Sequence, residues 1–280
     1  MRVGHLGPAG TFTEEAARRG GPEGELVPYA SVRETVAAVL AGDVDLALVP
    51  IENSLEGTVT ATVDALSAED RLRMVGEVVL PIRQCLIARS ELELGAIEEV
   101  RSHPQGLAQA ARFLREELPT ARLVPVASTA EAVRDLPDGP VAAVASLAAA
   151  EVHGGIVLRE GIEDEDGNAT RFAWLAAGDV DWAPAADSGY KTTIFFTGTG
   201  DDSPGWLVRC LSEFAFRGVN LVKIESRPAR KQLGHYVFLA DCEGREDDAA
   251  VAEAVAGLTA HCDRVRVLGS YPSAPSVPVS

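Results

Sequence analysis

The chain has little that would commit it to the common cofactor chemistries. Its four cysteines, Cys85, Cys210, Cys242 and Cys262, show no Cys-x-x-Cys spacing. That scatter argues against a zinc site or disulfide framework and fits free thiols in a reducing compartment, so a cytoplasmic location is expected. Histidine is scarce, and His153, His235 and His261 have no metal-like spacing, so no metal is expected. No Gly-x-Gly-x-x-Gly follows a strand, and there is no phosphate loop and no nucleophile elbow. Nicotinamide, nucleotide and serine-hydrolase readings therefore lose their usual support, and no cofactor is expected. No apolar run approaches the roughly 20 residues that span a bilayer. Residues 1–10 lack the long apolar segment of a secretory signal.

Positive charge is the other shortage. Forty-two acidic residues face 25 basic ones, a formal net charge of −17. Such a chain repels nucleic acid and anionic membrane, so neither is an expected partner. It gives no global steering to an anionic substrate either. An anion would have to be held by local groups, an arginine or the free amides of helix N-termini. What is present is ordinary globular composition: 280 residues, 46% hydrophobic and 24% charged. That suggests about two domains.

Short strands and helices alternate through the first part of the chain. Strands are expected at residues 1–6, 26–30 and 45–51. Thr11 to Glu14 and Ser31 to Glu34 have the spacing of capping boxes that open helices, and a third helix is expected near 59–66. The apolar run at 74–89 is long for one strand, and Pro81 marks a bend or a change of lobe. A second set follows: a strand near Val100, a helix near 105–117, a strand at 122–127, a third capping box at Ser128 to Glu131, and apolar runs at 141–146 and 156–162. A strand at 168–178 closes the set. This order predicts an α/β fold with largely parallel sheets. Residues 179–189 lack periodicity and read as a linker. Beyond them the order strand, helix, strand, strand, helix, strand is the ferredoxin-like βαββαβ unit. Its first helix carries Leu207, Leu211 and Phe214 on one face. The tail at 273–280 is expected to be disordered.

In open α/β sheets ligands bind at the carboxyl ends of strands. Four such ends carry hydroxyl or amide residues here: Thr11 with Phe12 and Thr13, Glu52 with Asn53 and Ser54, Ser102 with His103 and Gln105, and Ser128 with Thr129. Any one of them is explained by simple capping. Four together are better explained by a cleft. Glu52 and Asn53 end an apolar run and read either as an exposed loop or as site residues. Arg171 either pairs a ligand carboxylate or answers the acidic residues just before it. His103, beside Pro104, reads as a turn residue in a structural hydrogen bond ahead of a proton carrier.

The segments GPAGTFTEEAA, PIENSLEGTV, SHPQGLAQ and NATRF, in this order and at these separations, resemble the prephenate dehydratase family. SPGWLVRCL and GVNLVKIESRP resemble the ACT regulatory domain attached to those enzymes, so the resemblance covers nearly the whole chain. It implies a two-lobed catalytic domain at 1–178, similar to type II periplasmic binding proteins. The lobes would be about 1–78 plus 160–178, and 79–159, with an ACT domain at 190–272. It implies a monofunctional carbon–oxygen lyase that converts prephenate to phenylpyruvate, carbon dioxide and water in phenylalanine biosynthesis. By residue-for-residue matching, Thr170, Glu52, Asn53, Ser102 and Gln109 carry the reaction. Thr11, Phe12, Ser54, Arg171 and Phe172 bind substrate. The effector L-phenylalanine would contact Gly205, Trp206, Leu207, Asn220, Leu221, Glu225, Ser226 and Arg227, with a homodimer or homotetramer formed through ACT domains. Trp206 departs from the family, which commonly has alanine there, and leaves effector affinity open. A related lyase acting on arogenate, and a non-catalytic sensor of small acids, are the alternative functions.

Overall fold

Three sheets organise the chain, and the computed structural model describes residues 1–185, 189–198, 203–228 and 236–275 of it. The first sheet holds β1 (Arg2–Leu6), β2 (Glu25–Tyr29), β3 (Leu46–Asn53), β4 (Gly57–Thr58), β5 (Leu72–Pro81) and β11 (Ala169–Ala177), in the order β2-β1-β3-β11-β5 with β4 beside β3. The second holds β6 (Cys85–Ala88), β7 (Glu99–Ser102), β8 (Arg122–Pro125), β9 (Val141–Ala145) and β10 (Ile156–Glu160), in the order β10-β6-β9-β7-β8.

Both sheets are mixed, which corrects the expectation of largely parallel ones. The chain leaves the first sheet along β5 and returns from the second along β11, entering from the opposite end. β11 therefore runs antiparallel to both β3 and β5. In the second sheet β6 runs antiparallel to β9 and β10. β5 continues through Pro81, past the expected lobe boundary at 78, and β6 begins at Cys85. Two crossings, 82–84 and 161–168, therefore join the lobes. The result is a two-lobed α/β domain.

The N-caps form where the sequence places them, although the Glu14 carboxylate takes the Gly10 amide and Glu34 the Ser31 hydroxyl. Thr11, Ser31 and Ser128 accept from the amides of Glu14, Glu34 and Glu131, opening α1 (Phe12–Gly20), α2 (Val32–Ala41) and α6 (Thr129–Arg134). Val59 precedes α3 (Thr60–Ala68) without a side-chain cap. The helix expected at 105–117 is interrupted at Ala110, giving α4 (Pro104–Gln109) and α5 (Ala111–Glu117). α7 (Leu147–His153) begins at the Ser146 cap.

The third sheet is antiparallel: β12 (Tyr190–Thr197), β13 (Leu221–Pro228), β14 (Tyr236–Glu243) and β15 (Arg264–Pro272), in the order β13-β14-β12-β15. With α8 (Trp206–Ala215) and α9 (Ala249–Thr259) it forms an ACT-like βαββαβ unit. One face of this sheet packs on the two helices. The other joins the first lobe: Phe195, Leu239, Leu268 and Tyr271 are buried in one cluster with Ile51, Leu72, Met74 and Leu175. The backbones approach closely there, because a Cβ on Gly269 would lie 2.1 Å from the Met74 carbonyl oxygen. Burying apolar surface of this extent fixes the docking of the ACT-like unit on the lobe.

The segment read as a linker is irregular yet tethered. Trp182 packs edge-on against Trp174 at 5.0 Å. Residues 186–188 and the end of the tail, 276–280, lie outside the described residues, as does His235.

Candidate active site

β3 and β11 bring two segments 117 residues apart into one ladder, pairing Thr170 with Asn53 and Arg171 with Glu52. Successive side chains on a strand point to opposite faces. Asn53 and Thr170 therefore share one face, and Glu52 and Arg171 the other.

On the first face the amide of Asn53 sets the hydrogen-bond directions. Its Oδ1 accepts from the backbone N–H groups of Leu55 and Glu56, both at 3.0 Å. An amide nitrogen could not accept there, so these two donors fix which end is oxygen. Nδ2 must then face β11, lying 2.8 Å from Asn168 Oδ1, 2.9 Å from Thr170 Oγ1 and 3.2 Å from the Ala169 carbonyl. Its two hydrogens serve the two nearest acceptors. Thr170 Oγ1 is thus an acceptor toward Asn53, and its own hydrogen is left to donate elsewhere. The same reasoning orients Asn168. Its Oδ1 faces Asn53, so its Nδ2, buried and without a partner among the described residues, is a second uncommitted donor. Asn168 opens the NATRF segment, yet nothing in the sequence assigned this residue a role. The signal available was its position two residues before Thr170, just ahead of β11.

The opposite face corrects two expectations. Arg171 is not free to bind a substrate carboxylate. Its guanidinium bonds Glu77 Oε2 at 2.6 Å, Asp241 Oδ2 at 2.6 Å and the Tyr271 hydroxyl at 2.9 Å. Burial works against its charge, but Asp241 foremost outweighs that and holds the guanidinium above its ordinary pKa. Glu52 faces the same way: Lys223 Nζ lies 2.8 Å from its carboxylate and Arg171 3.5 Å. Both side chains address the ACT-like unit rather than the face that carries Thr170.

The remaining expected residues divide. Phe172 is 2% exposed in the core beneath α1, which corrects its assignment to substrate binding, and Phe12 packs on that core. Ser54 ties to Ala169 through its amide and its hydroxyl, at 2.9 and 3.0 Å, so its amide is not a free anion donor as expected. Thr11 donates to the Leu6 carbonyl while capping α1. Gly10, just before it, meets the second lobe, its carbonyl accepting from Ser146 Oγ at 3.1 Å. Ser102 is wholly buried, and its hydroxyl donates to the Val144 carbonyl at 2.6 Å, bracing the strand end instead of lining an opening. Gln109 Oε1 accepts from Gln84 in the crossing at 3.0 Å. His103 caps α4 through Nδ1, the structural role read from its proline neighbour. Burial pushes the Cys85 and Cys242 thiols up to about 11, so neither offers a thiolate near neutral pH.

In the ACT-like unit, Gly205 caps α8 with φ of 80°, a conformation that favours glycine. Trp206 turns inward, 7% exposed, donating to the His261 carbonyl at 2.6 Å and packing against Phe196 and Phe238. Leu207 and Leu221 pack on that core, and Asn220 is exposed with its carbonyl accepting from Glu243. Along β13, Glu225 accepts from Thr58 Oγ1 at 2.9 Å and Arg227 approaches Asp64 at 3.6 Å, so both face the first lobe, while Ser226 is exposed.

These features define a class: a two-lobed α/β domain whose strand-end site is built from neutral hydrogen-bonding side chains, docked to an ACT-like unit. Comparison with known proteins narrows it. The profile "PDT: Prephenate dehydratase" matches residues 3–179. The prephenate dehydratase of Mycobacterium tuberculosis (strain ATCC 25618 / H37Rv) is 38% identical over 287 residues, covering 99% of this chain and 88% of that protein. The crystal structure of prephenate dehydratase from Arthrobacter aurescens, in complex with L-Phe, is 39% identical with a TM-score of 0.87, covering 98% of this chain and 90% of that one. GqqA, described as a novel type of quorum quenching acylase, is 29% identical with a TM-score of 0.86, covering 98% and 99%. The chain belongs to the prephenate dehydratase family. Its reaction is the decarboxylating dehydration of prephenate in phenylalanine biosynthesis.

Proposed function

We propose that prephenate loses its hydroxyl at the Asn53–Asn168–Thr170 cluster. Prephenate is a dicarboxylate with a ring hydroxyl. As carbon dioxide leaves, its bonding electrons complete the aromatic ring and expel the hydroxyl, which departs with a proton as water. The task of the protein is to stabilise the departing oxygen without binding the leaving carboxylate too well. A threonine hydroxyl is too weak an acid for simple proton donation near neutral pH. A preorganised hydrogen bond to the oxygen as charge develops is physically easier, and such donors are worth about 10²–10³ in turnover. The observation that carries this reading is the fixed Asn53 amide, which makes Thr170 Oγ1 an acceptor on one side and leaves its hydrogen for the substrate. With Arg171 and the Ser54 amide committed elsewhere, and the Glu14 amide bonded to Thr11, the Phe12 and Thr13 amides at the start of α1 are our candidates for the substrate carboxylate.

GqqA shares this fold, so fold alone does not assign the chemistry. An acylase must activate a nucleophile, whereas this cluster is neutral and donor-rich. L-phenylalanine is the effector that the Arthrobacter relative suggests for this chain, acting at the ACT-like unit. We further assign residues 1–178 to the catalytic domain and 190–272 to the regulatory one, a homodimer or homotetramer formed through that unit, and a cytoplasmic location. Assay of the purified protein on prephenate and on arogenate, with and without L-phenylalanine, tests all of this chemistry. Phenylpyruvate from prephenate, reduced by L-phenylalanine, is expected. Turnover of arogenate alone would move the function to the related lyase, and turnover of neither would favour a sensor.

A further inference from the structure

We propose that Asp241 and Lys223 of the ACT-like unit are positioning residues for the dehydration, holding Thr170 and Asn53 in place through Arg171 and Glu52. The inference rests on the assignment of Thr170 and Asn53 to the reaction. Each of these residues has a chain neighbour whose side chain leaves on the opposite face and ends on the ACT-like unit. From Thr170, Arg171 reaches Asp241 at 2.6 Å and the Tyr271 hydroxyl at 2.9 Å. From Asn53, Glu52 reaches Lys223 at 2.8 Å. The far ends are themselves fixed. Thr193 Oγ1 lies 2.6 Å from both Asp241 Oδ1 and the Tyr271 hydroxyl, and Lys223 also reaches Thr58 Oγ1 at 3.3 Å.

Two observations separate positioning from mere adhesion. The apolar contact around Phe195, Leu239 and Leu268 already docks the two units. A buried ion pair adds little to stability over apolar groups of similar volume; what it adds is geometric selectivity. Second, the β3–β11 ladder is irregular between Arg171 and Phe172. The extra residue is Ile51 on β3, so the regular pairing up to Pro50 does not dictate where Asn53 points, whereas β11 keeps its register with β5 through Thr170. Glu52 lies on the Asn53 side of that irregularity and Lys223 on β13 constrains it there, while Arg171 ties the neighbour of Thr170 to β14 and β15. Lys223 sits two residues from Glu225, which itself accepts from Thr58 beside Glu52 in the β3–β4 pairing. A shift of β13 or β14 would therefore reach both reaction residues, and it would change turnover more than substrate affinity.

The test is a double-mutant cycle on the full chain. Asp241→Asn, Asp241→Glu and Lys223→Met are each made in the wild-type and Thr170→Ala backgrounds. Steady-state kinetics on prephenate are measured at a temperature where circular dichroism shows every variant folded. Misplacement by about 1 Å is enough to cost on the order of a hundredfold. Asp241→Asn and Asp241→Glu are expected to lower kcat about tenfold to a hundredfold, and Lys223→Met by less, with KM little changed. In the Thr170→Ala background the same substitutions should leave the residual turnover almost unaltered, because residues acting through one group are not additive. An unchanged kcat for Asp241→Asn and Asp241→Glu would overturn the proposal, as would the same fold-loss in both backgrounds. Near-normal turnover of Thr170→Ala alone would instead overturn the assignment of Thr170, and the positioning role with it. Asp241→Glu keeps the charge, so the cycle is readable even if Asp241→Asn does not fold.

Discussion

Replacing Arg171 separates two roles that the sequence left open. If its guanidinium bound a substrate carboxylate, Arg171→Lys would raise KM and leave the fold alone. The structure predicts the reverse emphasis. Arg171 and Lys191 balance Glu77 and Asp241, and the side chains of Glu77 and Asp241 are 0% and 1% exposed. Lysine keeps the charge but is a point donor that cannot span Glu77, Asp241 and Tyr271 together. Two charge-assisted hydrogen bonds at about 1.5–3 kcal/mol each are at risk, partly recovered by one new contact, so a loss of about 2–4 kcal/mol follows. Arg171→Met removes the charge, leaving buried Glu77 with Lys191 and depriving buried Asp241 of its guanidinium partner. Breaking a buried pair in this way costs about 3–5 kcal/mol. At roughly 2–4 °C per kcal/mol for a chain of this size, Arg171→Met should melt some 6–20 °C below wild type. Scanning calorimetry alongside steady-state kinetics measures both quantities. A raised KM with an unchanged melting temperature in both variants would refute the buried-anchor account and restore Arg171 to the substrate.

Three further outcomes follow from the geometry. Asn168→Asp keeps the acceptor for Asn53 but removes the buried uncommitted donor, and kcat on prephenate should fall about a hundredfold, with a lower melting temperature because the new carboxylate oxygen is buried and unpaired; unchanged kcat in the folded variant would show that this donor meets no substrate. Burial, only partly offset by the Leu6 carbonyl, holds the His5 pKa below its ordinary 6.5. The unfolded chain therefore binds the extra proton more readily, and stability falls as pH drops from 6.5 toward that lowered value. His5→Gln should flatten this part of a urea-midpoint profile, and an identical slope in both proteins would contradict the assignment. Trp206→Ala empties the core between β12, β14 and α8 and should lower stability by about 3–5 kcal/mol in urea unfolding. A loss below about 1 kcal/mol would mean that the indole is not packed inward.

Local features were legible in the sequence because their partners lie within a few residues. The caps at Thr11, Ser31 and Ser128, the end of β5 at Pro81 and the βαββαβ order all depend on neighbours. Arg171 was not legible in this way. The groups that answer it lie 94, 70 and 100 residues away, and the acidic stretch just before it does not. The same holds for Glu52, whose lysine arrives from the ACT-like unit. The mixed sheets follow from the chain returning between lobes, which alternation of strands and helices does not encode. The direction of Trp206 had a signal that went unused. Trp206, Cys210 and Phe214 recur at steps of four and are the buried face of α8, rather than Leu207, Leu211 and Phe214 together.

The central claim is that the Thr170 hydroxyl, oriented by Asn53, assists loss of the ring hydroxyl. The most direct measurement is the turnover of prephenate by Thr170→Ala and Thr170→Ser, with melting temperatures recorded in parallel. The alanine variant should lose about a hundredfold or more in kcat while staying folded, and serine, which restores the hydroxyl, should recover much of it. Near-normal turnover by folded Thr170→Ala would contradict the account.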